Sequence, residues 1–281
     1  MDALFRQLGY NEGSIKERMA RLDADSQPPT APDPRPALLA RYEEFLRDAE
    51  KCAALIFDLR PKAPVVVKRE PSFTEKNASA HYTTPAPDGS RPGIFWVPLP
   101  GPAFRMAEMR TLVYHEAVPG HHFQIALQNE MPSLPRFRHE RVFGSIPAHS
   151  EGWALYAERL AAESAWYEGD ARGQIGQLNA ELFRARRLVV DTGLHALHWT
   201  RQQAIDYGIP VSEVERYAVT PGQACSYKIG QLRILELRAQ ARRSLGEKLS
   251  LKEFHNVVLA AGTVPLGVLE LVVGDYLRFH K

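Results

Sequence analysis

The segment Tyr114–Gln124, with the sequence YHEAVPGHHFQ, contains the residue types that bind and use a metal ion. It holds three of the chain's ten histidines, together with a glutamate. Catalytic zinc is bound by imidazole nitrogens and carboxylate oxygens from three side chains, with water in the fourth position. In the H-E-x-x-H motif, two histidines four residues apart lie on one helical face, and the glutamate acts as general base. Here His115 and Glu116 match the first two letters, but the next histidines are His121 and His122.

The wider spacing changes what a straight helix could do. His122 would share a face with His115 but lie roughly 10 Å further along the axis, a long reach for two ligands of one ion. Pro119 and Gly120 lie between them. Proline removes a helical hydrogen bond and glycine permits unusual dihedrals, so the pair can kink the helix and return the second histidine toward the first. The spacing leaves open whether His121 or His122 is the ligand.

A third ligand is available in the segment His149–Leu160, HSEGWALYAERL. Glu151 and Glu158 are seven residues apart and therefore lie on one helical face. The apolar side chains of this segment favour burial, which would place Glu151 near the core, where a carboxylate requires a partner such as a cation. We therefore expect His115, Glu151 and one of the two later histidines to bind Zn²⁺, with Glu116 as general base.

The elements that must position these residues are mostly helical. Periodic apolar residues predict helices over 2–23, 37–59, 103–130, 149–167, 172–206, 227–245, 251–260 and 266–279. Two β-branched or aromatic runs, APVVVKRE and PGIFWVPLP, predict a small antiparallel β element immediately before the histidine-rich helix. A strand near Gly93–Val97 would present an edge to which an extended substrate adds as one more strand.

Composition and charge exclude several function classes. The formal net charge of +2 gives no reason to expect nucleic acid or an acidic membrane surface as a partner. Cys52 and Cys225 are far apart in sequence and indicate neither a disulfide framework nor a thiolate metal site. The N-terminus has no apolar signal-peptide region, and the most apolar segment, Val257–Val273, is interrupted by glycine, proline and glutamate. These features predict a soluble, cytoplasmic protein with no membrane partner.

Several segments resemble the bacterial family known as domain of unknown function 885 (DUF885). They are YHEAVPGHHFQIALQ, SEGWALYAERL, RLVVDTGLH, PGQACSYKIGQLRILELRA and DGSRPGIFWV. That family is distantly similar to zinc peptidases with a glutamate ligand, such as thimet oligopeptidase, carboxypeptidase Taq and angiotensin-converting enzyme. In those enzymes H-E-x-G-H on one helix is followed by a ligand glutamate on a second helix. The resemblance implies a mostly α, zincin-like helical peptidase fold with zinc as the cofactor.

The resemblance also bears on the second ligand and on the length of the chain. By analogy with the GH of those peptidases His121 would be the ligand, whereas helical register favours His122. Family members are usually longer, with a further helical region before the part present here, and many are exported. We therefore expect a fragment or a shortened paralogue. If part of the cleft is missing, a second copy could cover the exposed apolar surface as a homo-oligomer.

In peptidases of this class a downstream tyrosine commonly donates to the oxyanion. Tyr227 follows a turn at Pro221–Gly222 and begins a predicted helix, so its hydroxyl could serve this role. The alternative is a core or capping tyrosine with a single partner. The neighbouring Lys228 could act in the same way or bind a substrate carboxylate.

Other polar residues could support the ligands. Arg187, Asp191 and His195 recur at four-residue steps along one helical face, where they could orient ligands, as could Glu158, or form an ordinary ion-pair ladder. The run RARR at 184–187 is interpreted as a solvated helix face. Four further histidines have no informative spacing and are interpreted as structural: His81, His139, His149 and His198.

Together these residues predict a zinc-dependent hydrolase of the peptidase type. Glu116 would take a proton from the metal-bound water, which attacks the polarised carbonyl of a peptide or small amide substrate. Residues 63–281 would form the metallopeptidase-like catalytic domain, with residues 1–62 as a helical segment packed on it. The alternatives are a non-catalytic remnant or binding module of the same fold, and hydrolysis of a non-peptide C–N bond.

Overall fold

The structure, a computed structural model, describes residues 1–28, 32–99, 104–139 and 144–280. Most of these residues are helical, as predicted, and no helix among them is both long and apolar enough to cross a lipid bilayer. The helices are α1 Asp2–Gln7, α2 Ile15–Asp25, α3 Arg35–Ile56, α4 Met109–Glu116, α5 His121–Asn129, α6 Arg136–His139, α7 Pro147–Glu163, α8 Ala171–Ala196, α9 Arg201–Asp206, α10 Val211–Val219, α11 Ser226–Leu245, α12 Leu251–Ala260 and α13 Leu266–His280. Met106–Glu108 and Gly246–Lys248 are short 3₁₀ helices.

Three strands, β1 (Val65–Arg69), β2 (His81–Thr83) and β3 (Gly93–Val97), form one sheet in the order β1-β3-β2. β3 pairs in parallel with β1 and antiparallel with β2, so the prediction of an antiparallel element is wrong in part: the sheet is mixed. The segment between β1 and β3 is long enough for the crossover that a parallel pair requires. β2 forms within this segment and pairs with the side of β3 opposite β1. β3 is therefore the central strand, and the prediction that it offers a free edge to substrate is wrong.

Most helix predictions are confirmed to within a few residues, but three predicted helices are divided. The helix predicted over 103–130 is α4 and α5, preceded by a 3₁₀ helix, and its first residue lies outside the described residues. The helix predicted over 2–23 is α1 and α2, because Ser14 and Glu17 form a capping box that starts α2. The helix predicted over 172–206 is α8 and α9, because the Thr200 side chain caps the start of α9. α6 and α10 were not predicted. These differences leave the helices that carry the candidate site close to their expected positions.

The core is built around α7, which packs along α11 and also contacts α4, α5 and α8. Trp153 and Tyr156 of α7 are fully buried in one cluster with Tyr114 of α4 and Leu237 of α11. Tyr42 of α3 belongs to the same cluster, so the N-terminal segment shares this core. A second, smaller cluster joins the first two helices to α8 and the 3₁₀ helix before α4: Phe5, Tyr10, Met19, Leu22, Ala107 and Ile175.

Candidate metal centre

An interruption between α4 and α5 brings the two ends of the histidine-rich segment together. α4 ends at Glu116 and α5 begins at His121. Gly120 lies so close to the end of α4 that a Cβ at this position would overlap backbone oxygens of that helix. The Pro119 carbonyl accepts a hydrogen bond from Trp153 Nε1 at 2.8 Å, which ties the interruption to α7. The predicted break in the helix is therefore present, and its glycine is required by the close approach of the chain.

Three potential ligand atoms converge where α4, α5 and α7 meet. They belong to His115, His121 and Glu151, here called the His–His–Glu cluster, and all lie within 4.8 Å of one another. Glu151 Oε2 is 3.4 Å from His115 Nε2 and 3.3 Å from His121 Nε2. Two ligands about 2.1 Å from a tetrahedral zinc ion are separated by about 3.4 Å, which matches the distances from Glu151 Oε2 to both imidazole nitrogens. Within the described part of the chain Glu151 Oε2 is buried without a hydrogen-bond partner, and a cation would satisfy it.

Glu158, the second candidate glutamate, contacts His115 at Nδ1, the ring nitrogen that does not face Glu151. Its Oε1 accepts a hydrogen bond from His115 Nδ1 at 2.7 Å, and its Oε2 accepts one from the Thr111 hydroxyl at 3.0 Å. This arrangement leaves His115 Nε2 facing Glu151. A carboxylate behind a ligand histidine fixes the tautomer and orientation of the ring and raises its basicity.

The electrostatics of the cluster favour positive charge at its centre. Burial alone would lower the pKa of His115, but the carboxylates of Glu151 and Glu158 outweigh burial and raise it to about 10. Burial also opposes the charged form of Glu151, yet the imidazoles of His121 and His115 hold its pKa well below the ordinary value. Glu116, at the end of α4, is 7% exposed, and burial raises its pKa against the opposing effect of both imidazoles. Three carboxylates thus surround two histidines, and a divalent cation would balance their charge.

His122 lies away from the cluster. Its Nε2 donates to the Ala63 carbonyl at 3.0 Å, so its Nδ1 accepts from the Tyr82 hydroxyl at 2.9 Å. Both ring nitrogens are therefore used, and burial lowers the pKa of His122 to about 4. A Cβ at Gly93 would crowd this pair, so a glycine in β3 makes room for it. Of the two candidates from the sequence, the structure brings His121 to the cluster and uses His122 to join α5 to the sheet.

Tyr227 lies beside the cluster because α7 and α11 cross at two glycines. A Cβ at Gly152 or Gly230 would overlap the backbone of the opposite helix. Glu151 precedes one of these glycines, and Tyr227 lies about one turn before the other. The Tyr227 ring is nearly parallel to that of His115, with ring centroids 6.1 Å apart. Burial and the charge of Glu151 raise the pKa of Tyr227, so its hydroxyl keeps its proton and can donate it in a hydrogen bond.

The sequence pattern of a bacterial family described as "Bacterial protein of unknown function (DUF885)" matches residues 1–273. The chain belongs to the DUF885 family. The resemblance seen in the sequence is thereby confirmed at the level of the family. No curated protein matches the chain.

This DUF885 protein is also similar to solved structures. "The putative lipoprotein from Colwellia psychrerythraea" shares 42% identity over 99% of this chain, with a TM-score of 0.93. "A putative lipoprotein of unknown function from Shewanella oneidensis" shares 22% identity over 97% of this chain, with a TM-score of 0.77, and this likeness shows the fold alone. The chain covers 49% and 53% of the lengths of those two proteins, about half of each.

In this DUF885 protein three of the other predicted residues lie outside the His–His–Glu cluster. Lys228 Nζ contacts Glu181 Oε1 of α8 at 2.6 Å. Asp191 accepts a hydrogen bond of 3.0 Å from a backbone N–H of the loop before α11. His195 Nε2 donates to the Tyr217 carbonyl at 3.0 Å. These contacts join α8 to α10 and α11, and therefore reach the cluster only through the packing of those helices.

Two arginines that the sequence assigned to a solvated face lie beside Tyr227. The guanidinium carbon of Arg187 is 4.8 Å from the Tyr227 ring centroid, and that of Arg184 is 5.9 Å from it. Arg187 is buried and pairs with Glu213 at 2.7 Å, whereas Arg186 between them is exposed. The interpretation of RARR as a solvated face is therefore wrong for two of its three arginines, because α10 and α11 cover that side of α8.

Proposed function

We propose that the protein is a zinc-dependent hydrolase that cleaves peptide or small amide bonds. The observation that carries the proposal is the convergence of His115, His121 and Glu151 across an interrupted helix, with Glu151 Oε2 at 3.4 and 3.3 Å from the two Nε2 atoms, the separation expected of two tetrahedral zinc ligands. Two imidazoles and one carboxylate are a donor set that catalytic zinc sites use. When bound, zinc would supply a nucleophile at neutral pH and polarise the substrate carbonyl.

The side chains around the cluster have distinct roles in this proposal. Glu116 is the general base, which accepts a proton from the attacking water and passes it to the leaving nitrogen. Tyr227 donates a hydrogen bond to the oxygen that becomes negative in the transition state. Glu158 holds His115 through its Nδ1–H, so that Nε2 faces the ligand position.

The choice of a peptidase with a zincin-like fold rests on the order of the motif. HE, then GHH, then a ligand glutamate on a following helix resembles the arrangement in zinc peptidases with a glutamate ligand. The sheet offers a second support, because β2 is an edge strand and its Tyr82 contacts His122, the neighbour of a proposed ligand. An extended peptide could add to that edge.

Metal content tests the proposal directly. Protein purified without an affinity metal should contain about one zinc per chain, and Glu151→Ala should lose it. Glu163→Ala is the control, because Glu163 lies at the far end of the same helix and contacts Arg159 and Arg238 instead of the cluster. Thermal unfolding of the metal-free proteins verifies that the variants fold. Wild-type protein that binds no zinc even after zinc is added would contradict the proposal and favour the non-catalytic remnant.

A further inference from the structure

Arg184 is a cation without a counter-ion in the part of the chain that the structure describes. Its Nε is buried without a hydrogen-bond partner, and its one hydrogen bond among these residues runs from Nη1 to the Ala180 carbonyl of its own helix at 3.4 Å. The residue as a whole is partly exposed. A guanidinium in such surroundings has five donors to satisfy and favours a carboxylate or phosphate partner.

The neighbouring cations differ from Arg184 in this respect. Arg187 pairs with Glu213 at 2.7 Å, and Lys228 pairs with Glu181 at 2.6 Å. Arg187 and Lys228 therefore each have a carboxylate partner, whereas Arg184 interacts with acids only at longer range in the part of the chain that the structure describes. Of these three cations, Arg184 is thus the one without a counter-ion among the described residues.

Arg184 is also close to the proposed reaction centre. Its guanidinium carbon is 5.9 Å from the Tyr227 ring centroid, and that ring is 6.1 Å from the ring of His115. Burial lowers the pKa of Arg184, but the charges of Glu158 and Glu151 are among those that raise it overall, which places the guanidinium within their electrostatic reach. An extended peptide advances about 3.4 Å per residue, so a group held by Arg184 lies within about three residues of the hydrolysed bond.

We infer that Arg184 binds a carboxylate of the substrate, so that the preferred substrates are short peptides that carry a free carboxylate close to the cleaved bond. The inference rests on the proposed hydrolase function and narrows its substrate class. A planar guanidinium forms two parallel hydrogen bonds with a carboxylate, which fixes the orientation of the peptide as well as its position. Tyr227 lies beside Arg184, so its hydroxyl would then be close to the carbonyl group of the bond that is cleaved.

A competing role for Arg184 is to offset the negative charge of Glu151 and Glu158. The two roles predict different substrate dependence. An arginine that only offsets charge should affect every substrate alike, whereas an arginine that binds a carboxylate should affect only substrates that have one. Three tripeptide libraries separate the cases: free-acid peptides without Asp or Glu, the same peptides with a C-terminal amide, and amidated peptides that contain Asp or Glu.

The experiment compares zinc-loaded wild type with Arg184→Gln, Arg184→Lys and the control Arg186→Gln, which changes the exposed neighbour. Wild type should cleave a carboxylate-bearing library at least about 30-fold faster than the plain amide, and Arg184→Gln should abolish that ratio. Arg184→Lys should restore part of it, since lysine keeps the charge but not the paired donors. The library that wild type prefers shows whether the carboxylate is C-terminal or from a side chain. Equal losses on all libraries, or no preference in wild type, would overturn the inference.

The inference and the proposed function can fail separately. If wild type hydrolyses no library, the hydrolase proposal fails, and equilibrium dialysis of the same libraries against the zinc-loaded protein decides about Arg184. Retention of carboxylate-bearing peptides over plain amides that is lost in Arg184→Gln would support the carboxylate site. Equal retention of all libraries, or retention of none, would overturn it.

Discussion

Two regions of this molecule bury histidines, and they treat the imidazole in opposite ways. In the His–His–Glu cluster His115 is 3% exposed and its pKa is raised to about 10. In the core between α7 and α12 His255 is fully buried, and its pKa is lowered to about 3. His149 and His122 resemble His255, since burial lowers the pKa of each to about 4. Burial is therefore the same in both regions, and the partners make the difference.

The partners of the two kinds of histidine differ in charge. His255 Nε2 lies 2.8 Å from the Tyr156 hydroxyl, which accepts from Arg238 and therefore donates to the imidazole. The ring of His255 also stacks on Phe57 at 4.8 Å. His115 instead has a carboxylate on each side, and carboxylates stabilise a cation, whether a proton or a metal ion. The number of buried histidines is thus a poor indicator of a metal site, whereas carboxylates that contact those histidines are a better one.

The largest effect should come from the glutamate that is proposed to move a proton. Glu116→Gln keeps the size of the side chain but cannot accept a proton, so kcat/KM should fall by about 10²- to 10⁴-fold with zinc content unchanged. Steady-state kinetics with a cleaved tripeptide and elemental analysis provide the two measurements. Glu163→Gln should leave both unchanged. Full activity in Glu116→Gln would show that Glu116 is not the general base.

A smaller effect is expected when the carboxylate partner of His115 is replaced by a neutral group. The core histidine His255 already has a neutral partner, the Tyr156 hydroxyl. Glu158→Gln removes the charge behind Nδ1 but keeps an acceptor at hydrogen-bond distance. Zinc affinity should then fall by about 10- to 100-fold, because the ligand histidine becomes less basic. Competition with a chelator of known affinity measures the change, and Glu163→Gln is again the control. Unchanged zinc affinity would mean that Glu158 only fills space between α4 and α7.

Much of this site follows from local sequence. The Pro119–Gly120 pair predicts an interruption, and the interruption makes the spacing of His115 and His121 compatible with one ion. Glu151 is predicted because a carboxylate on an apolar helix requires a partner. Both arguments concern neighbouring residues or one helix. The choice between the two later histidines needed the structure, because His122 is directed to Ala63 and Tyr82 of distant segments.

The features that could not be predicted from the sequence depend on contacts between elements that are far apart along the chain. β1 pairs with β3 in parallel because the chain forms β2 between them in sequence and pairs it with the other side of β3, and a three-residue strand is too short to be recognised from the sequence. The burial of Arg187 depends on α10 and α11, although a signal was present. Phe183, Arg187 and Val190 share one helical face, so the arginine continues an apolar stripe. That spacing argued against a solvated face for RARR.

The smallest predicted effect concerns the core histidines and acid stability. The pKa of His255 is lower in the folded state, about 3, than the ordinary value of about 6.5 in an unfolded chain. The unfolded state therefore binds more protons between these values, and stability falls as pH decreases from about 6.5 toward 3. Between pH 7.5 and 5.5 this histidine should lower the free energy of unfolding by about 1 kcal/mol, a loss that His255→Gln should not show.

Urea unfolding at both pH values, with a chelator present so that the cluster holds no metal, measures how the free energy of unfolding of each protein depends on pH. His280→Gln, at an exposed position, should keep the wild-type slope. If His255→Gln loses as much stability as wild type, the core imidazole is protonated in the folded protein, and the contrast between the two regions does not hold.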